Sequence, residues 1–97
     1  MIPLSPNTTG RLRHIFAAED HAEAERLLVE ECGTNIPLCE TADPKAMERI
    51  RFAALKMSRG SIGELRKWIA LAQIDWRDLL VAAGFADDQT AHERWTP

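Results

Sequence analysis

Apolar residues recur along the chain at spacings of three and four, and no stretch alternates apolar and polar at period two for long enough to read as a strand. The pattern predicts helices. A first runs from Thr8 to Ala17, with Leu12, Ile15 and Phe16 on one side and Asn7 as its cap. A second is expected from about His21 to Cys32, burying Ala24, Leu27, Leu28 and Cys32. Asp20, three before Glu23, resembles half of a capping box, and Gly33 reads as the C′ residue, where a positive φ suits glycine. The stretch TNIPLCE that follows reads as a turn and an extended run, because Pro37 restricts the residue before it.

The third helix carries the strongest signals. Asp43-Pro44 supplies an N-cap and a first-turn proline, and Gly60 a stop after Arg59. Between them Ala46, Met47, Ile50, Ala53, Ala54 and Met57 share one wide apolar sector. Phe52 and Leu55 fall outside it, so this helix should be central, touched from more than one side. Ser61 with Glu64 is a capping box opening a fourth helix, on which Leu65, Trp68, Ile69 and Ala72 face inward. Asp75 with Asp78 suggests a fifth, bearing Trp76, Leu79, Leu80 and Ala83 and closed by Gly84, with Phe85 over Leu80 in a Schellman turn. One unbroken period from Ile62 to Ala83 leaves a single long helix open as well; the cap favours a break near Ile74. The expected fold is a single all-α domain over 1–97, four or five short helices in an irregular orthogonal array or short bundle, with 1–7 and 87–97 extended or frayed.

Composition fits that picture. The 97 residues are 45% hydrophobic and 28% charged, which suits one soluble globular domain. No run of apolar residues is long enough to span a membrane, and MIPLSPNTTG lacks the marks of a secretory signal, so a cytoplasmic setting is expected. The net charge of −3 hides a segmental layout. Residues 11–43 carry three basic against eight acidic side chains, 45–67 seven against two, and 68–97 two against five. Either these segments pack together and cancel, or the basic middle attracts a partner.

Candidate chemistry is thin. His14, His21, Cys32 and Cys39 are the residue types zinc needs, but neither pair has the close spacing of a zinc site, and packing explains both cysteines. A Cys32–Cys39 disulfide would close a short loop, yet a cytosolic pair is normally reduced. Cys32 beside a helix C-terminus and Glu30-Glu31 is a poor nucleophile. SRGSIGELRK lacks the order of a phosphate-wrapping loop, and the adjacent pairs Glu30-Glu31 and Asp87-Asp88 face different ways. No metal, cofactor or catalytic residue is expected. The binding idea with most content is a stripe on the third helix. Lys45, Arg49, Phe52, Lys56 and Arg59 recur at four, three, four and three, as an aromatic ring among cations. The alternative is a solvated face, with Phe52 covered by the N-terminal segment and Glu19, Glu23 and Glu30 answering the charges. Trp95, alone in a polar tail, is a candidate anchor across a neighbouring subunit.

The stretches ECGTNIPLCE, ERIRFAALK and IDWRDLLVAAGF resemble a group of small, uncharacterised, all-helical bacterial proteins of about this length. That resemblance covers roughly residues 12 to 86 and implies a bacterial origin and an all-helical fold, with no activity to carry over. The functional expectation is therefore a non-catalytic helical module acting by protein contact, on itself as a homodimer or on an acidic partner. The alternative is an accessory nucleic-acid-binding protein using the stripe from Lys45 to Arg59; the pI of 5.6 weighs against it.

Overall fold

Helix α1 starts where Ser5 and Pro6 permit it. Proline occupies the first turn, where no amide hydrogen is needed, and the Ser5 hydroxyl accepts from the Thr8 amide. The helix therefore spans Pro6–Ile15, one turn's fraction earlier than the Asn7 cap implied. A 3₁₀ turn, Ala18–Asp20, leads into α2, His21–Glu30, which has no side-chain cap from Asp20. The computed structural model describes residues 3–33, 36 and 44–97, so Asp43, Cys39 and most of the proline loop lie outside it. Helix α3 spans Pro44–Ser58, α4 Ile62–Ala83 and α5 Ala91–Arg94, and the described residues contain no strand. The all-α expectation of four or five helices holds.

Helix α3 is the axis of the fold. Ile50, Arg51, Phe52, Ala53, Ala54 and Leu55 are all buried. Six successive residues at about 100° each run more than once round the helix, so neighbours must enclose it on every side. Helix α4 covers the largest part, with α1 and α5 on other flanks. Met47 is buried with them, while Ala46 and Met57 are half-exposed. The radius of gyration, 11.7 Å, is no larger than the roughly 12.5 Å expected of a compact chain this long, which leaves no room for a loose tail.

Two turns show what glycine is for here. After Ser58 the chain reverses through Arg59, φ 53°, and Gly60, φ 81°. A Cβ on Gly60 would lie 2.7 Å from the Ile15 carbonyl oxygen, so both conformation and space demand glycine. Gly33 differs from the expectation. It does not adopt a positive φ; instead a Cβ there would meet the Val29 carbonyl at 3.0 Å and the Arg51 guanidinium at 3.4 Å. Its role is room for a buried cation.

Helix α4 is broken where the cap suggested. Asp75 has φ −154° and ψ 96°, and its Oδ1 accepts from the Arg77 amide at 3.0 Å. At its end Gly84 takes φ 79°, donating to Val81, and the Phe85 amide reaches the Leu80 carbonyl at 2.9 Å, the Schellman pattern. Trp68 and Trp76, expected in the core, sit half-buried at its rim. Among the described residues no helix is long and apolar enough to cross a membrane.

Candidate functional site

The stripe on α3 does not face solvent as a set. Phe52 is fully buried, which removes it as an exposed stacking ring. Arg11 of α1 lies over one face, with its guanidinium 4.3 Å from the ring centre. His92 and Trp95 of the C-terminal segment approach its edge at 5.2 and 6.0 Å. Cover by the N-terminal segment was thus half of the answer; the tail supplies the rest. The tail is not frayed: α5 forms within it, His92 is 1% exposed and Trp95 half-buried.

The cations of the stripe are engaged by main chain. Lys56 Nζ donates to the Ala83 carbonyl at 2.7 Å and sits 5.0 Å from the centre of the Phe85 ring. Arg49 donates to the Phe85 carbonyl, and to that of Ala86 at 3.2 Å. Lys56 therefore meets the electronegative end of α4, whose last carbonyls have no partner within the helix, and Arg49 meets the two carbonyls just beyond its Gly84 cap. For Lys56 such partly buried pairing stabilises by about 0.3–2 kcal/mol. Lys45 and Arg59, at the two ends, are exposed. Glu23 and Glu30 do not answer the stripe; they pair with Arg26 of their own helix, and Glu23 also lies 3.7 Å from Arg66.

Trp95 has its neighbours within its own chain. Its ring centre is 6.0 Å from that of Phe52 and 6.5 Å from that of Phe85. Arg11 Nε donates to the Trp95 carbonyl at 2.9 Å, and the same guanidinium reaches the Glu93 carbonyl at 3.4 Å. The structure thus gathers Arg49, Lys56 and Trp95 around Phe85, sets Phe52 against Trp95, brings Lys45 to the margin and leaves Arg59 apart.

Four residues missed in the sequence complete the site: Arg11, Glu48, Arg51 and His92. Arg51 is 2% exposed and donates to the carbonyls of Cys32 and Pro3, each at 2.9 Å. Burial pulls its pKa below the usual guanidinium value. Its position was legible in part, since it shares a row with Met47, Leu55 and Ser58, all buried. His92 gave no such signal. Its Nε2 lies 3.5 Å from Glu48 Oε1, the Gln89 backbone is its other polar neighbour, and neither ring nitrogen makes a well-formed hydrogen bond among the described residues. Burial lowers its pKa below 6.5, against the opposing pull of Glu48 and Glu93 and with the help of Arg49.

Glu48 Oε2 in turn accepts from the Ser5 hydroxyl at 2.9 Å. This order, serine to carboxylate to histidine, cannot activate a nucleophile: the imidazole is separated from the hydroxyl whose proton it would have to take. Among the described residues no three His, Cys, Asp or Glu side chains are grouped to hold a metal. Cys32 is a buried thiol. Beside the tail, Lys45 and Arg49 of α3 and Glu93 of α5 line a cleft of about 600 Å³. No family model, curated protein or solved structure matches the chain.

Proposed function

We propose that this protein is a non-catalytic helical module that works by contact with another protein, in a bacterial cytoplasmic setting. One observation carries the reading: the basic, aromatic face of α3 is occupied by a short segment of chain, held through ring contacts and through its main-chain carbonyls. Groups arranged in this way suit a peptide segment. The bacterial setting is supported by the resemblance of three sequence stretches alone. The nucleic-acid alternative is weakened because Arg49 and Lys56 already serve carbonyl oxygens. That leaves Lys45 in the first turn of α3 and Arg59 just beyond its last, about 20 Å apart by helical rise and without another exposed cation of the stripe between them. A homodimer needs an anchor other than Trp95. Ile74 and Val81 of α4, 82% and 65% exposed, are the large apolar side chains that offer one.

The test is capture of bound protein from a bacterial extract, followed by reconstitution with the purified candidate and light scattering of each component alone. A stoichiometric complex, or a stable complex of the chain with itself, is expected. Failure of every captured protein to rebind once purified, together with a monomeric chain, would overturn the reading.

A further inference from the structure

The C-terminal segment 86–97 is attached to the rest of the fold mainly at one patch. Between Phe85 and α5 every residue from Ala86 to Thr90 is exposed. That connection is organised within itself: Asp88 accepts from the Thr90 amide and hydroxyl at 2.8 and 2.9 Å and from Arg94 at 2.6 Å. Arg94 holds the Asp88 carboxyl well below the usual carboxylate range. The docked end then rests on Arg11, Phe52 and Phe85. A four-residue helix has no independent stability, so this docking is what orders it.

The segment carries Asp87, Asp88 and Glu93 against Arg94, and the face it covers carries Arg11, Lys45 and Arg49 with Glu48. Arg11 and Arg49 meet the segment through its carbonyls, while Glu48 faces His92 and Asp88 pairs with Arg94 within the segment. The fit is nevertheless incomplete in two respects. Both nitrogens of buried His92, and the buried Nε of Arg49, lack a well-formed hydrogen bond among the described residues. The cleft between Lys45 and Arg49 on one side and Gln89, Thr90 and Glu93 of the segment on the other also stays open, with Lys45 making no ion pair among the described residues. An occupant that leaves polar atoms unsatisfied and cationic space unfilled can be displaced by one that does neither.

We infer that the Arg11–Phe52–Phe85 patch and the adjoining Lys45–Arg49 cleft form a docking groove for an acidic, tryptophan-bearing peptide, and that residues 86–97 are its self-blocking resident. The inference rests on the protein-contact reading and names the partner class and the control of that surface. The tethered segment competes at an effective concentration of order millimolar. The groove is open only for the fraction of time the segment is undocked, and apparent affinity for an outside peptide falls by that fraction. Weakening the resident should therefore strengthen binding in trans.

The probe is a synthetic peptide of residues 86–97, titrated into the full chain and followed by calorimetry and amide chemical shifts. Three proteins are compared: wild type, Trp95→Ala, and a chain with a flexible insert after Ala86, which keeps Asp88 joined to Thr90 and Arg94. The expected result is binding to Trp95→Ala at least about tenfold tighter than to wild type, an intermediate affinity for the lengthened chain, and shifts centred on Phe52 and Phe85. A peptide carrying Trp95→Ala should lose binding to all three. If the 86–97 peptide fails at millimolar concentration to bind either altered chain, while both keep wild-type helicity, the groove inference is wrong. A reconstituted partner that binds Trp95→Ala no better than wild type but is lost with Ile74→Asp also overturns the groove, and leaves the protein-contact reading standing. Absence of any partner overturns that reading instead.

Discussion

Replacing Arg51 with methionine removes a cation from the middle of the core while keeping most of its length. In the wild type Arg51 donates to the carbonyls of Cys32 and Pro3, and so ties the end of α2 and the N-terminal strand of chain to α3. Each hydrogen bond from a charged donor is worth about 1.5–3 kcal/mol. The two are not equivalent. Cys32 is fully buried, so water cannot take the place of the lost donor there; Pro3 is exposed, and water can replace it. Against the loss stands the relief of no longer burying a guanidinium, the same penalty that lowers its pKa. The balance is a net loss of about 2 kcal/mol, most of it from the Cys32 side. For a chain this size that lowers the melting temperature by roughly 8–16 °C. Arg51→Lys keeps the charge but cannot reach two carbonyls at once, so it should recover only part of the loss. Thermal and urea melts followed by circular dichroism measure both. A methionine variant as stable as wild type would mean that desolvation cancels the clamp, and the argument that carbonyl ends fix this fold would lose its strongest case.

Other changes separate conformation, capping and protonation. Gly60→Ala forces a Cβ to 2.7 Å from the Ile15 carbonyl at a φ of 81°, and should cost at least about 2 kcal/mol in a urea melt. Gly63→Ala, where the nearest atom is 3.8 Å away, should be neutral or stabilise by up to about 1 kcal/mol. Asp75→Ala removes the acceptor for the Arg77 amide at the break in α4, for a loss of about 0.5–2 kcal/mol by the same assay. His92 has a docked pKa below 6.5, so the undocked segment binds more protons on the acid side. Docking should be complete above about pH 6.5 and weaken as pH falls toward the lower, docked value. Glu48, Glu93 and Arg49 are the charged groups that set how far. Melts of wild type and His92→Phe across pH 5–8 should diverge in that window; parallel curves would show that the imidazole does not titrate on undocking.

What was legible in the sequence was whatever a residue declares locally. Asp75 declared a cap, and the break is there. Phe52 and Leu55, outside the apolar sector of α3, declared a helix enclosed on all sides. Gly33 misled because glycine serves two needs, positive φ and close approach, and here a guanidinium from α3 required the second. Period sets Arg49, Phe52 and Lys56 on one side of α3, but it cannot say what lies against that side. The carbonyls at the end of α4 and just beyond it, which engage Lys56 and Arg49, reach α3 only once the chain has folded. The tail was missed for a related reason: four helical residues carry no periodicity, and the pair His92 and Trp95, three apart, gains meaning only beside Phe52 and Phe85.

The central claim is that this face of α3 is filled by the chain's own C-terminal segment. Amide hydrogen exchange at Glu93 and Trp95, whose amides donate to the Thr90 and His92 carbonyls, tests it most directly. A turn this short is not protected on its own. Protection at both amides in wild type, lost in Trp95→Ala while α3 stays protected, is the expected result. Exchange at random-coil rates in the wild type, with α3 protected, would contradict it.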